Sequence, residues 1–287
     1  MKDEGDRVWG FKRFVKAQAL GNDFIIVDGL EKKVDLKKDD IVKACDRRYG
    51  IGADGILVLE KSAKADLKMR IFNADGSEAQ MCGNGIRCLA VYADRYGLCN
   101  RSTLRFETIA GDINVRLIKN ESGGVEEVQV DMGIPVLERA KIPMKGPKGE
   151  VTDEPLTVGQ KKLLVTCISM GNPHCVVFVN NVETAPVDRL GPMIENLPVF
   201  PERTNVEFVE VTSRDFLKMR VWERGAGETS ACGTGAAASL VAAARCGLAD
   251  RKATVSLNGG SLMIEWKNNG HVHMTGPAEL VFEGLTV

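Results

Sequence analysis

The sequence predicts an α/β (α+β) protein built as two pseudo-symmetric homologous domains from an internal duplication. Three observations carry this: a self-match at an offset of 150 residues, short strand-like runs flanked by turn residues, and two helical segments that each begin beside a cysteine. At that offset Gly21 and Asn22 fall on Gly171 and Asn172, and "LKMRIF" from Leu67 falls on "LKMRVW" from Leu217. Glu78, Cys82, Gly83 and Gly85 fall on Glu228, Cys232, Gly233 and Gly235, while Arg95, Gly97 and Leu98 fall on Arg245, Gly247 and Leu248. A four-residue identity and a repeated Cys-Gly-x-Gly at one offset are not a chance match. The 287-residue length also suits about two domains.

The strand-like runs, in order, are "FIIVD", "ILVLE", "LKMRIF", "CVVFV", "VEFVEV", "LKMRVW" and "SLMIEW", each short and rich in β-branched or aromatic residues. Segments 83–96 and 233–246 read as helices, with Gly97 and Gly247 where a C′ glycine would end each. The second helix is apolar all round, so it is expected to be wrapped by sheet. The simplest packing is a β-barrel-like sheet curled around one central helix in each half. "VQVDMGIP" around Gly133 resembles "HVHMTGP" around Gly276, and residues 133–153, with several Pro, Gly and Lys, read as the crossover. The expected domains are 1–132 with 277–287, holding Cys82, and 133–276, holding Cys232.

A formal net charge of −1 with scattered Lys and Arg argues against a nucleic-acid or polybasic membrane surface. The stretch "MKDEGDRVWG" lacks the apolar core of a signal peptide and is expected to be disordered. With no apolar run near the ~20 residues of a membrane span, the expected location is the cytoplasm. The eight cysteines are expected to be reduced, and six of them (Cys45, Cys88, Cys99, Cys167, Cys175 and Cys246) to pack as small hydrophobes.

Cys82 and Cys232 stand apart, because each lies at the mouth of a predicted helix beside "GNG" or "GTG". Unpaired N–H groups and the macrodipole favour an anion there, so both thiol pKa values are expected to be lowered toward neutrality. The flanking glycines are expected to let a ligand approach bare backbone, as a carboxylate cradle. Two equivalent thiols in two related domains predict an active site in the cleft between them. One sulfur would take a proton from a tetrahedral carbon and the other would return one on the opposite face. A cysteine hydrolase would use His174 as base but leaves the second cysteine without a role. Zinc spacings, C-x-x-C and phosphate loops are absent from the sequence. An amino-acid-binding module remains open, though binding alone gives no reason for a thiol at both helix mouths.

"ALGNDFI", "FNADGSEAQMCGNGIRC", "GNPHCV", "ERTNVEFV" and "WERGAGETSACGTGAAA" resemble the diaminopimelate epimerases, in order and near their usual spacing, from about Phe14 onward. The resemblance implies cofactor-independent interconversion of LL- and meso-diaminopimelate in lysine and peptidoglycan-precursor biosynthesis, by a homodimer that binds no metal. It implies Cys82 and Cys232 as the catalytic acid/bases, supported by His174 and Glu223. It places Asn22, Asn73, Asn172 and Asn205 in the substrate pocket, and Gly83, Asn84, Gly233 and Thr234 around the reacting carboxylate. Glu223 and Arg224 would read the substrate's charged groups, the arginine as a carboxylate fork. Some members carry glutamine where this chain has Gly55. A proline or hydroxyproline racemase is the nearest rival, but such enzymes typically place His after "CG", where Asn84 stands here.

Overall fold

The computed structural model describes residues 8–287. The first half contains β1 (Arg13–Ala19), β2 (Asn22–Asp28), α1 (Lys38–Cys45), β3 (Gly55–Glu60), β4 (Leu67–Asn73), β5 (Glu78–Ala79), α2 (Gly83–Arg95), β6 (Thr103–Thr108), β7 (Gly111–Lys119) and β8 (Val125–Asp131). After them come β9 (Val151–Val158), β10 (Lys161–Ser169), β11 (Pro173–Phe178), α3 (Val187–Glu195), β12 (Asn205–Ser213), β13 (Phe216–Glu223) and β14 (Gly227–Thr229). The chain ends with α4 (Gly233–Arg245), β15 (Lys252–Leu257), β16 (Gly260–Trp266), β17 (Val272–Gly276) and β18 (Glu279–Leu285). It divides into two units, one reaching Val130 and adding Gly276–Val287, the other Asp131–Thr275.

The duplication shows in strand pairing. In the first unit β1–β2, β3–β4, β6–β7 and β7–β8 are antiparallel, while β2–β3 and β4–β6 are parallel. In the second, β10–β11, β12–β13, β15–β16 and β16–β17 are antiparallel, while β11–β12 and β13–β15 are parallel. One strand breaks chain order: β18 supplies to β1 the antiparallel partner that β9 supplies to β10.

The inner strands β2, β3, β11 and β12 are covered on both faces, which is why they read as continuous apolar runs, whereas β6 and β15 alternate buried with less buried residues. Ile25, Val27, Ile56 and Val58 pack toward Ile41, Ala44 and Cys45 of α1. The alternate residues Ile26, Leu57 and Leu59 are buried on the other side, where α2 runs against β1, β2, β3, β4, β7 and β18. Helix α4 lies equally against β10, β11, β12, β13, β15 and β16. Its Leu240 and Val241 are fully buried, each worth about 1.5–3 kcal/mol of transfer free energy. Both central helices end as expected, with Gly97 at φ 65° and Gly247 at φ 72°. Leu98 N donates to Ala93 O and Leu248 N to Ala243 O, both at 2.9 Å, closing paired Schellman motifs.

Residues 1–7 of the segment expected to be disordered lie outside the described residues. Val8–Gly10 depart from that expectation: they form a 3₁₀ turn, with the Trp9 ring 6.5 Å from that of Phe11. Among the described residues no helix is long and apolar enough to cross a membrane.

Candidate functional site

In the first unit, Leu20 (φ 55°) and Gly21 (φ 80°) turn β1 into β2 and set Asn22 at the strand's first position. Cys82 is the N-cap of α2, in extended backbone at φ −145° and ψ 119°, and its sulfur accepts the Gly85 N–H at 3.4 Å. Asn22 Oδ1 lies 3.9 Å from Cys82 Sγ and accepts Asn84 Nδ2 at 3.1 Å. Asn22 Nδ2 donates to Asp54 Oδ2 at 2.7 Å. Behind the cap, the fully buried Arg87 donates to Asn84 Oδ1 at 3.0 Å and to Gly83 O at 3.4 Å. Next to Asn22, burial alone would push the Asp23 carboxyl up, but hydrogen bonds from Arg47 and Lys16 hold it down at about 2. Asn73 stands apart at the exposed end of β4, donating to Ser77 Oγ at 3.0 Å.

The second unit builds its cap the same way. Cys232 caps α4 at φ −130° and ψ 108°, and accepts Gly235 N–H at 3.3 Å. Thr234 Oγ1 lies 3.5 Å from the sulfur and accepts Asn172 Nδ2 at 3.3 Å. Asn172 Oδ1 meets His174 Nε2 at 3.0 Å, and His174 Nδ1 meets Glu207 Oε1 at 2.6 Å. His174 and Glu207 are both fully buried, and Glu207 Oε2 has no hydrogen-bond partner there. Asn205 donates to Pro173 O at 2.8 Å and accepts Arg224 N at 2.9 Å, so both ends of its amide hold backbone. The Arg224 guanidinium donates to Glu202 O at 3.0 Å, and Thr229 Oγ1 donates to Glu223.

Two expectations need correction. The helix-mouth amide does reach Cys232, yet its thiol pKa lies well above the ordinary value, not below it. Burial is the largest cause, followed by the charges of Glu223 and Glu207; the Thr234 hydroxyl and Gly235 N–H pull the other way and lose. Glu223 is itself pushed up, mainly by burial. The second glycine of each turn serves packing rather than an open approach. A Cβ at Gly85 would stand 2.8 Å from Leu57 Cδ2, and one at Gly235 would stand 2.9 Å from Glu207 Oε1 and 3.2 Å from Cys232 Sγ. At Gly55 a Cβ would meet Phe72 O at 2.4 Å, so a glutamine side chain would not fit this backbone.

The structure therefore groups Cys82, Gly83, Asn84 and Asn22 at one helix mouth. At the other it groups Cys232, Gly233, Thr234, Asn172 and His174, with Glu223 close enough to act on the sulfur. Asp54, Arg87, Glu207 and Thr229 border these groups and were not singled out in the sequence. All eight cysteines are free thiols, and the described residues hold no cluster of three or more His, Cys, Asp or Glu with metal-binding geometry.

Comparison with known proteins bears on what this arrangement is for. The family model described as diaminopimelate epimerase matches residues 14–138 and 166–281. A diaminopimelate epimerase of Pelotomaculum thermopropionicum is 52% identical over 275 residues, covering 94% of this chain and 97% of that relative. One of Moorella thermoacetica is 54% identical over 273 residues, covering 94% and 98%. Among solved structures, a hydroxyproline epimerase of Agrobacterium vitis superposes with a TM-score of 0.69 at 14% identity, covering 96% of this chain and 92% of that one. A PhzF-family phenazine biosynthesis protein of Bacillus anthracis gives 0.67 at 20% identity, covering 96% and 99%. These structural likenesses speak for a shared fold alone, whereas the sequence matches are more than twice as close and span nearly the whole chain. The chain belongs to the diaminopimelate epimerase family.

Proposed function

We propose that the protein interconverts LL- and meso-2,6-diaminopimelate by proton transfer at one α-carbon, without a cofactor, as a step of lysine and peptidoglycan-precursor biosynthesis. The observation that carries the reading is the matched pair of thiols, each the N-cap of a helix and each accepting an N–H from the third helical residue. In this reading Cys82 and Cys232 are the two proton-transfer groups. One thiolate removes the α-proton while the other sulfur, as thiol, delivers a proton, so configuration inverts and the protonation states of the sulfurs exchange. An N–H that caps a neutral thiol strengthens once the sulfur is charged, a charge-assisted bond worth about 1.5–3 kcal/mol. At rest the burial of Cys232 and its carboxylate neighbours favour the thiol, which suits it to start as the acid.

The remaining roles follow chemistry. The first N–H groups of α2 and α4 have no acceptor within their helices, a ready place for the carboxylate whose negative charge grows as the α-proton leaves. Asn22, Asn84, Asn172 and Thr234 border the sulfurs and have the amide and hydroxyl groups to orient an amino acid. Glu223 acts on Cys232 by its charge, whereas His174 holds Asn172, which in turn donates to the Thr234 hydroxyl beside the sulfur. Asn73, Asn205 and Arg224 are assigned to the substrate by the family resemblance, which also supports a cytoplasmic homodimer.

Proton NMR of LL-diaminopimelate in D₂O, with reduced protein and no added cofactor, tests the reading. Loss of one α-proton signal with appearance of the meso isomer supports it. Exchange of proline or hydroxyproline instead would move the substrate, and no exchange of any amino acid would sink it. Cys82→Ala and Cys232→Ala are each expected to lower inversion at least about a thousandfold, since general acid–base groups contribute about 10²–10⁴. Near-normal inversion by either variant would remove that sulfur from the mechanism.

A further inference from the structure

Asn22 and Asn84 stand in a hydrogen-bonded row with a charged group at each end. Arg87 Nη2 donates to Asn84 Oδ1 at 3.0 Å, Asn84 Nδ2 donates to Asn22 Oδ1 at 3.1 Å, and Asn22 Nδ2 donates to Asp54 Oδ2 at 2.7 Å. A guanidinium offers only donors and a carboxylate only acceptors, whereas a side-chain amide offers both. Turning Asn84 over would set its NH₂ against Arg87 and its oxygen against the Asn22 oxygen. Turning Asn22 over would set its oxygen against the Asp54 carboxylate. Turning both would repair the middle bond and spoil the two ends. Only one orientation of the two amides satisfies all three bonds, and the charged ends select it.

The ends are themselves held. Arg87 is fully buried and also donates to Pro277 O at 3.2 Å. Asp54 accepts Arg47 Nη2 at 2.9 Å and the Asp23 N–H at 3.1 Å. At the repeat offset Arg87 corresponds to Ala237 and Asp54 to Thr204, so the second unit does not build the same row. It holds Asn172 between His174 and Thr234 instead.

Resting on the reaction proposed above, we propose that Arg87 and Asp54 are positioning residues that lock the Asn84 and Asn22 amides in a single orientation for the substrate. The row also decides which atom of Asn22 faces Cys82: the carbonyl oxygen, 3.9 Å from the sulfur, and not the NH₂ group. With one end removed the other still selects the orientation; with the two ends set against each other the row cannot be satisfied, and the amides present a mixed donor and acceptor pattern. Neither end residue needs to touch the substrate for this to matter.

The test is Asp54→Lys, at a side chain that is 44% exposed, which replaces an acceptor-only end by a donor-only one and so sets the two ends of the row against each other. The expected result is a KM for diaminopimelate raised about tenfold or more, the scale of a lost hydrogen bond to a charged group, with kcat changed less and a melting temperature close to that of Asp54→Asn, which loses the same Arg47 ion pair. In ¹⁵N-labelled protein the side-chain amide resonances of Asn22 and Asn84 should shift or double together. Asp54→Asn, which leaves Arg87 to select the orientation, should raise KM less than Asp54→Lys and leave the two amide resonances closer to those of the wild type. Unchanged KM with unchanged amide resonances in Asp54→Lys would overturn the inference, as would a lower melting temperature with KM unmoved. The amide resonances judge the row even if wild-type protein fails to exchange diaminopimelate, a result that would fall on the reaction and not on the row.

Discussion

Cys82 and Cys232 share a backbone position and a capping bond, but their neighbours carry opposite charge. A buried guanidinium, Arg87, stands behind the first, while the carboxylates of Glu207 and Glu223 act on the second. A carboxylate beside a thiol disfavours the thiolate, so both push the Cys232 pKa up in addition to burial. Replacing Glu223 by glutamine removes one of these charges while keeping the side-chain shape. The Cys232 pKa should then fall, and its alkylation by iodoacetamide, followed by peptide mass analysis, should reach a given rate at lower pH than in the wild type. An unshifted alkylation profile would remove Glu223 from the causes and leave burial and Glu207. Charge differences between the two halves also explain what was and was not legible in the sequence. The catalytic candidates were visible because they repeat, Cys82 with Cys232 and Asn22 with Asn172. Arg87 and Glu207 were not, because they are where the repeat changes: their counterparts are Ala237 and Leu57. A charge within a strand pattern such as "VEFVEV" is ordinarily taken to face water, and Glu207 is fully buried. Differences at buried positions of a duplication therefore carry as much information about a site as the matches do.

The central helices lie within one residue of their expected bounds, because their signals are local: a polar turn at the start, a glycine in left-handed conformation at the end. The outer helices had no such signals. Helix α1 has only eight residues, and α3 carries Gly191 and Pro192 inside it, a pair that reads as a loop. Contact with Trp222 explains that glycine, since a Cβ at Gly191 would lie 2.5 Å from the indole Cγ. The helix glycines divide into two kinds by cost. At Gly97 a Cβ would meet nothing within 4 Å, so alanine there pays only for its positive φ. Gly97→Ala should lower stability by about 1–2 kcal/mol in urea unfolding and leave KM unchanged. At Gly235 the new methyl would press on Glu207 Oε1 and Cys232 Sγ. Gly235→Ala should cost about 1–3 kcal/mol and also lower kcat, because the contact moves the candidate acid/base itself. Equal kcat in the two variants would show that the Cys232 cap tolerates displacement.

The duplication is not a simple joining of two copies. Strand β9 enters the second unit before β10, as expected of a chain that builds its units in turn, but the matching strand of the first unit comes last, as β18. The repeat at offset 150 does not reveal this, because β18 and β9 lie at opposite ends of their respective repeats and pair over very different sequence separations. In the first unit the strand does more than extend the sheet. The Phe282 ring packs edge-on to Phe14 at 6.1 Å, Tyr96 Oη donates to Glu283 Oε1 at 2.5 Å, and Thr286 Oγ1 donates to Phe11 O at 2.7 Å. Removing it exposes the outer edge of β1, the strand that turns directly into Asn22, whereas β10 keeps β9. Deleting residues 279–287 should therefore loosen one unit selectively. Native-state hydrogen exchange should show β1 and β2 amides losing most of their protection while β10 and β11 keep theirs, with inversion activity lost because Asn22 and the Cys82 cap depend on the loosened edge. Uniform loss of protection across both units would mean that they fold as one cooperative body, and full retention would mean that β1 needs no outer partner.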